Sequence, residues 1–172
     1  MKSMGSLIKS HNSRVLNQSN TQQESECNCR KKNDCPLDGK CLTMNTIYEA
    51  TVHHDTTKKI YYGLAEGSFK TRYNNHTKSL RLRNYEHDTE LSCYIWKLKD
   101  KDKEFNIDWR IAAKAQPYRC GSRRCELCLT EKVIILTSDP ELCMNKRDEL
   151  VSKCRHQNKY KLKNLKSWQN VK

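Results

Sequence analysis

Nine of the chain's ten cysteines fall in clusters, and this feature constrains the fold more than any other. CNCRKKNDCPLDGKC carries Cys27, Cys29, Cys35 and Cys41, and RCGSRRCELC carries Cys120, Cys125 and Cys128. Cys143 and Cys154 follow, the latter two residues before His156. The opening MKSMGSLIKSHNSRVL lacks the apolar core of a secretory signal, so the expected location is nuclear or cytoplasmic, reducing and not secreted. In such a compartment, close thiol pairs joined by basic, turn-rich loops suit tetrahedral zinc, whose charge helps to hold the ligands deprotonated. A disulfide framework is the alternative for an exported chain. Cys93, which stands alone, reads as a buried thiol on a helix.

Composition supports a staple of this kind. The 172 residues leave room for one compact domain plus tails, but only 35% are hydrophobic, a thin core for that length. A formal net charge of +13 draws in polyanions, with nucleic acid as the first partner to consider. No segment reaches the ~20 apolar residues of a membrane span, and none has the strongly apolar face of a basic membrane-surface helix.

The stretch 17–26, NQSNTQQESE, is polar without periodicity and reads as a linker, with the cysteine-rich segment at 27–45 behind it. TIYEATV (46–52) reads as a strand, HHDTTK as a turn and KIYYG (59–63) as a second strand, giving a hairpin. Ser68 is placed to cap a helix carrying Phe69, Arg72, Tyr73, His76 and Leu80. Asp88 or Thr89 caps a second helix, with Leu91, Tyr94, Ile95 and Leu98 inward. FNIDWRIAA alternates Phe105, Ile107, Trp109 and Ile111 as a third strand, LCLTEKVIIL is helical, and ELCMNKRDELVSKCRH forms a last helix. The order β-β-α-α-β-α-α predicts an α+β fold: a small three-stranded antiparallel sheet flanked by helices, with cysteine-rich zinc-binding segments. The end, 159–172, reads as a basic tail.

Several of these residues form an ordered set. Thr46-Ile47-Tyr48, then Tyr61-Tyr62-Gly63, then Arg72 and His76 one turn apart, then Glu131 on a helix after the third strand, then Asn145, resembles the core of GIY-YIG endonucleases. C-P-L-x3-C before the first strand, with C-x2-C and C-R-H behind the third, is similar to the zinc-bearing GIY-YIG domain at the end of Penelope-like retroelement polyproteins. The resemblance implies a nuclease domain over 46–158 and, in 1–16, a remnant of the segment joining it to a reverse transcriptase, which becomes an expected fused or cognate partner. Thr46 and Tyr62 depart from the family's glycine and isoleucine. Glu90 is a rival carboxylate that precedes the third strand, where the family pattern has none.

The chemistry implied is metal-dependent hydrolysis of DNA, leaving a 3′-hydroxyl and a 5′-phosphate. By resemblance Tyr48 takes the proton of the attacking water, Arg72 pairs with the phosphate, Glu131 holds Mg²⁺ or Mn²⁺, and Tyr61 and His76 orient the water. Asn145 completes the catalytic pattern. The alternative reading is a non-catalytic, zinc-stabilised nucleic-acid-binding module.

The family's antiparallel third strand brings the cysteine clusters to one end of the sheet. The first-choice zinc set is then Cys35, Cys41, Cys125 and Cys128, with a second drawn from Cys27, Cys29, Cys120, Cys154 and His156, and Cys143 left to the core. DNA contact is expected from Arg72, from Arg119, Arg123 and Arg124, and from Lys159, Lys161 and Lys163, which supply affinity rather than sequence choice. One active site per chain suits a monomer that nicks.

Overall fold

The computed structural model describes residues 26–119, 124–146, 154 and 156. The remnant at 1–16, nearly all of the 17–26 linker, Cys120, Arg123 and the lysine-rich end with Lys159, Lys161 and Lys163 lie outside the described residues. What is described is α+β: three antiparallel strands and three helices.

Strands β1 (Thr46–His54) and β2 (Thr57–Ala65) form the expected hairpin, longer at the turn than the sequence suggested. His53, His54, Thr57 and Lys58 all pair, which leaves only Asp55 and Thr56 as the loop, and Asp55 takes a left-handed φ of 49°. Aspartate tolerates that conformation better than most residues. Strand β3 (Asn106–Lys114) pairs antiparallel with β1, so the order is β2-β1-β3 with β1 central. The register between β1 and β3 shifts at Ile47/Tyr48, where Ile111 opposes Tyr48 and Ala113 opposes Ile47. Ala112 is the extra residue of a bulge.

Alternation along β1 divides the core. Tyr48, Ala50 and Val52 point to one face, where helices α1 (Phe69–Arg81) and α2 (Glu90–Lys99) supply Phe69, Leu91, Ile95 and Leu98. Ile47 points to the other face and packs on Leu127 of α3 (Glu126–Thr137). Thr89 caps α2 through a capping box with Ser92. Ser68 stands at the N-cap of α1, but its side chain makes no capping bond; Phe69 N–H donates to the Thr43 carbonyl and Lys70 N–H to the Cys41 carbonyl. The cysteine-rich segment therefore closes the helix that follows the hairpin.

The last helix needs correcting. Helix α3 ends at Thr137, and the stretch after Pro140 runs along the outer edge of β2 instead of coiling. Ile60 N–H donates to the Leu142 carbonyl, and Met144 N–H donates to the Ile60 carbonyl. Asn145 then takes both polar groups of the Tyr62 backbone, accepting from its N–H and donating to its carbonyl, each at 2.8 Å. These bonds satisfy an otherwise open strand edge, which a helix there would leave bare. Of the rest of the expected helix, 147–153 and 155 lie outside the described residues, and His156 is helical.

Candidate functional site

Tyr48 lies on the central strand with its ring across Gly63, its partner in register on β2. A Cβ at Gly63 would run into the Tyr48 hydroxyl, so the glycine of YYG is a space requirement set by the tyrosine. The phenol is 2% exposed and its oxygen sits 2.8 Å from His76 Nε2 on α1. Tyr61 meets His76 edge to face at 5.7 Å between ring centroids. Trp109 of β3 packs on both Tyr48 (6.0 Å) and His76 (5.4 Å) and fixes their orientation. Strand alternation pointed Trp109 inward, but nothing in the sequence tied it to this pair.

Arg72, one turn before His76, donates from Nε to the Leu64 carbonyl at 3.0 Å, so β2 fixes the plane of its guanidinium. Tyr48, Tyr61, Arg72, His76 and Glu131 all line one cavity of about 770 Å³, although they come from β1, β2, α1 and α3. Of the sequence-predicted catalytic residues Asn145 alone stands outside it, spent on the Tyr62 backbone. In that place it pins the edge strand. Glu90 lines the cavity too, but its carboxylate pairs with Lys146 at 2.6 Å.

The electrostatics follow from burial. Desolvation pushes the Tyr48 phenol well above its ordinary value; Arg72 pulls it back and Glu131 pushes it further up. Burial first, and then Arg72, lower His76 to about 4, so the imidazole is neutral at neutral pH. A buried neutral imidazole beside a buried phenol is a proton acceptor poised against a donor.

The cysteines gather into two groups of four. Cys27, Cys29, Cys35 and Cys41 place one sulfur each within 4.8 Å of all the others, and Cys125, Cys128, Cys154 and His156 do the same with three sulfurs and a nitrogen. Sulfur separations of 3.6, 3.7 and 3.5 Å in the first group, and 3.6 Å between Cys128 and Cys154 in the second, approach the ~3.8 Å edge of a tetrahedron with Zn–S bonds of ~2.3 Å. His156 Nδ1 lies 3.3 Å from the Cys125 sulfur and 3.1 Å from that of Cys128. Its other nitrogen faces the Glu66 carboxylate at 3.7 Å, the outer partner that a metal-bound histidine ordinarily has. Both groups have the donors and spacing to hold a zinc-like ion. The mixed set of Cys35, Cys41, Cys125 and Cys128 is not brought together; it divides between the two groups. Cys143 sits in the bridge to Ile60, apart from both, and Cys93 is half-buried, 3.7 Å from His87.

Without a cation, burial opposes the ionisation of some of these thiols. Burial raises Cys41 to about 12 and pushes Cys125 and Cys128 up as well. Cys35 is also desolvated, but hydrogen bonds from the Leu37 and Gly39 backbone outweigh that and bring it to about 7. Lys70 Nζ, 3.6 Å from the Cys29 sulfur, offsets the charge that four thiolates would carry.

Both groups abut the cavity helices. The first closes the N-terminus of α1 through the Cys41 carbonyl; the second includes Cys125 at the N-cap of α3 and Cys128 one turn before Glu131. Cys128, Cys154 and His156 themselves line the cavity. Arg119 and Arg124 are exposed at the loop leading into α3. No helix among the described residues is long and apolar enough to cross a membrane. Comparison with protein-family models, with curated proteins and with solved structures finds no match to this chain.

Proposed function

We propose that this chain is a metal-dependent DNA endonuclease domain of the GIY-YIG type, similar to that of Penelope-like retroelements, which nicks DNA and leaves a 3′-hydroxyl and a 5′-phosphate. One observation carries the reading: five residues singled out in sequence order, Tyr48, Tyr61, Arg72, His76 and Glu131, line a single cavity from four different elements. An unrelated α+β domain with a basic surface has no reason to collect them.

Water attacks phosphorus as the bond to the 3′ oxygen breaks. Tyr48 takes the proton from that water while its own moves to His76 Nε2, 2.8 Å away, in the tautomer protonated at Nδ1. A phenolate standing alone in this buried place would be costly, and the transfer to His76 avoids it. The substrate's negative charge favours the imidazolium that forms. Arg72 pairs with the non-bridging oxygens from a guanidinium held on Leu64. Glu131, one of the carboxylates on the cavity wall, would hold Mg²⁺ or Mn²⁺ that keeps most of its waters. Bound there, the ion supplies charge neutralisation at the leaving oxygen. The two cysteine groups take structural zinc, and DNA is the partner, drawn by the +13 charge.

The test is nicking of supercoiled plasmid with Mg²⁺ or Mn²⁺. Tyr48→Phe and Glu131→Ala should each lower the rate about 10²-fold or more while gel-shift affinity for DNA is kept. Folded wild-type protein that shifts DNA and never nicks it would replace this reading with the non-catalytic binding module.

A further inference from the structure

The two edges of the sheet are treated differently. The outer edge of β2 is taken up by the Leu142 to Met144 stretch, whereas no backbone hydrogen bond among the described residues satisfies the outer edge of β3. Natural sheets rarely leave a nine-residue edge bare, because its free N–H and C=O groups are a template for another strand.

The side chains on that edge suit one partner. Around Trp109 the sequence Ile107-Asp108-Trp109-Arg110-Ile111 is antisymmetric in charge and symmetric in apolar residues. An antiparallel copy laid against it with Trp109 opposite Trp109 sets Asp108 against Arg110 twice and Ile107 against Ile111 twice. Directly opposed residues share a face, so both charge pairs fall on the face away from α1 and α2 and all the apolar pairs on the face those two helices cover. The side chains of Asp108 and Arg110 are 66% and 70% exposed, although both already have partners: Asp108 faces His53 at 3.2 Å and accepts from Asn106 Nδ2 at 3.1 Å, and Arg110 pairs with Glu49 at 2.6 Å. A guanidinium has donors for both carboxylates. Ile107, Trp109 and Ile111 are only half-buried, with area left to cover. The bulge at Ala112 ends the matched stretch, which limits the pairing to one register.

We propose that β3 is a self-association edge: two copies of this chain pair β3 to β3, antiparallel, about Trp109. This departs from the monomer expected from sequence, and it does not depend on the nuclease reading. The high net charge opposes association at low salt, so the pairing strengthens as added salt screens that repulsion.

Sedimentation equilibrium of the zinc-loaded full chain, at ionic strength of ~0.3 M, tests it. Wild type should show a monomer–dimer equilibrium. Asp108→Arg places like charges opposite each other twice and should weaken the dimer about tenfold or more, with circular dichroism unchanged, while Asp108→Glu keeps it. A wild type that stays monomeric across the micromolar range, or a dimer indifferent to Asp108→Arg, would overturn the proposal.

Discussion

The two cysteine groups do the same work from opposite kinds of sequence. The first is local: Cys27, Cys29, Cys35 and Cys41 lie on one continuous stretch before β1, bury Cys41 completely against the side of the core that holds Tyr48 and Phe69, and close the N-terminus of α1 from outside. The second is assembled across the chain, with Cys125 and Cys128 at the start of α3 meeting Cys154 and His156, and it lines the cavity. A local cluster braces the core, while a distant one sets the position of a cavity wall. Each secures the beginning of a helix that carries candidate catalytic side chains, Arg72 and His76 on α1 and Glu131 on α3.

That difference sets an order of effects. Cys41→Ser leaves a polar group and three unmatched thiols in a fully buried place, and metal binding of this kind contributes on the order of 10 kcal/mol to small metal-stabilised folds. The expected result is loss of one metal together with loss of cooperative thermal unfolding. Cys154→Ser, in the half-buried member of the second group, should also release one metal, but with a fall of only a few degrees in Tm and a large fall in nicking, since α3 still packs through Leu127 on Ile47. Equal Tm losses in the two variants would remove the distinction.

Acid should act between the two groups, at His76. Its folded pKa, about 4, lies below the ordinary ~6.5, so the unfolded chain binds the proton first. The stability this group contributes is full above pH ~6.5 and is lost as pH falls toward 4, about 3 kcal/mol over that window. Urea titrations at stepped pH, wild type beside His76→Gln, should show this part of the slope vanish in the variant. An unchanged slope would mean that the imidazole is not buried and neutral. The smallest effect belongs to Asn145→Ala, which leaves the Tyr62 N–H and carbonyl unpaired at ~1–3 kcal/mol. It should lower stability while the nicking rate per folded molecule holds, which separates a pin from a catalytic group.

Legibility followed the same division. The hairpin, both cavity-facing helices and β3 could be read because their signals are local: β-branched runs, a capping threonine, and alternation from Phe105 to Ile111. That the cysteines are candidate metal ligands was also readable, from their clustering. Their partition was not, because the expected set joined Cys35 and Cys41 to Cys125 and Cys128, and only tertiary contact decides which sulfurs meet. The stretch 141–145 has helical composition, yet the open edge of β2 and the bonding capacity of Asn145 drew it out as an extended segment. Tertiary hydrogen bonding overrode propensity there. The candidate catalytic set came from motif order; Trp109 joined it, and Glu66 joined the second cysteine group, only in three dimensions.

Counting metal per chain in single and paired variants tests the central claim most directly, that two separate four-ligand centres hold α1 and α3 about one cavity. Two ions in wild type, one each in Cys41→Ser and Cys128→Ser, and none in the double variant is the predicted result. One ion in wild type, or a double variant that loses no more than either single one, would contradict it and return these cysteines to a shared site.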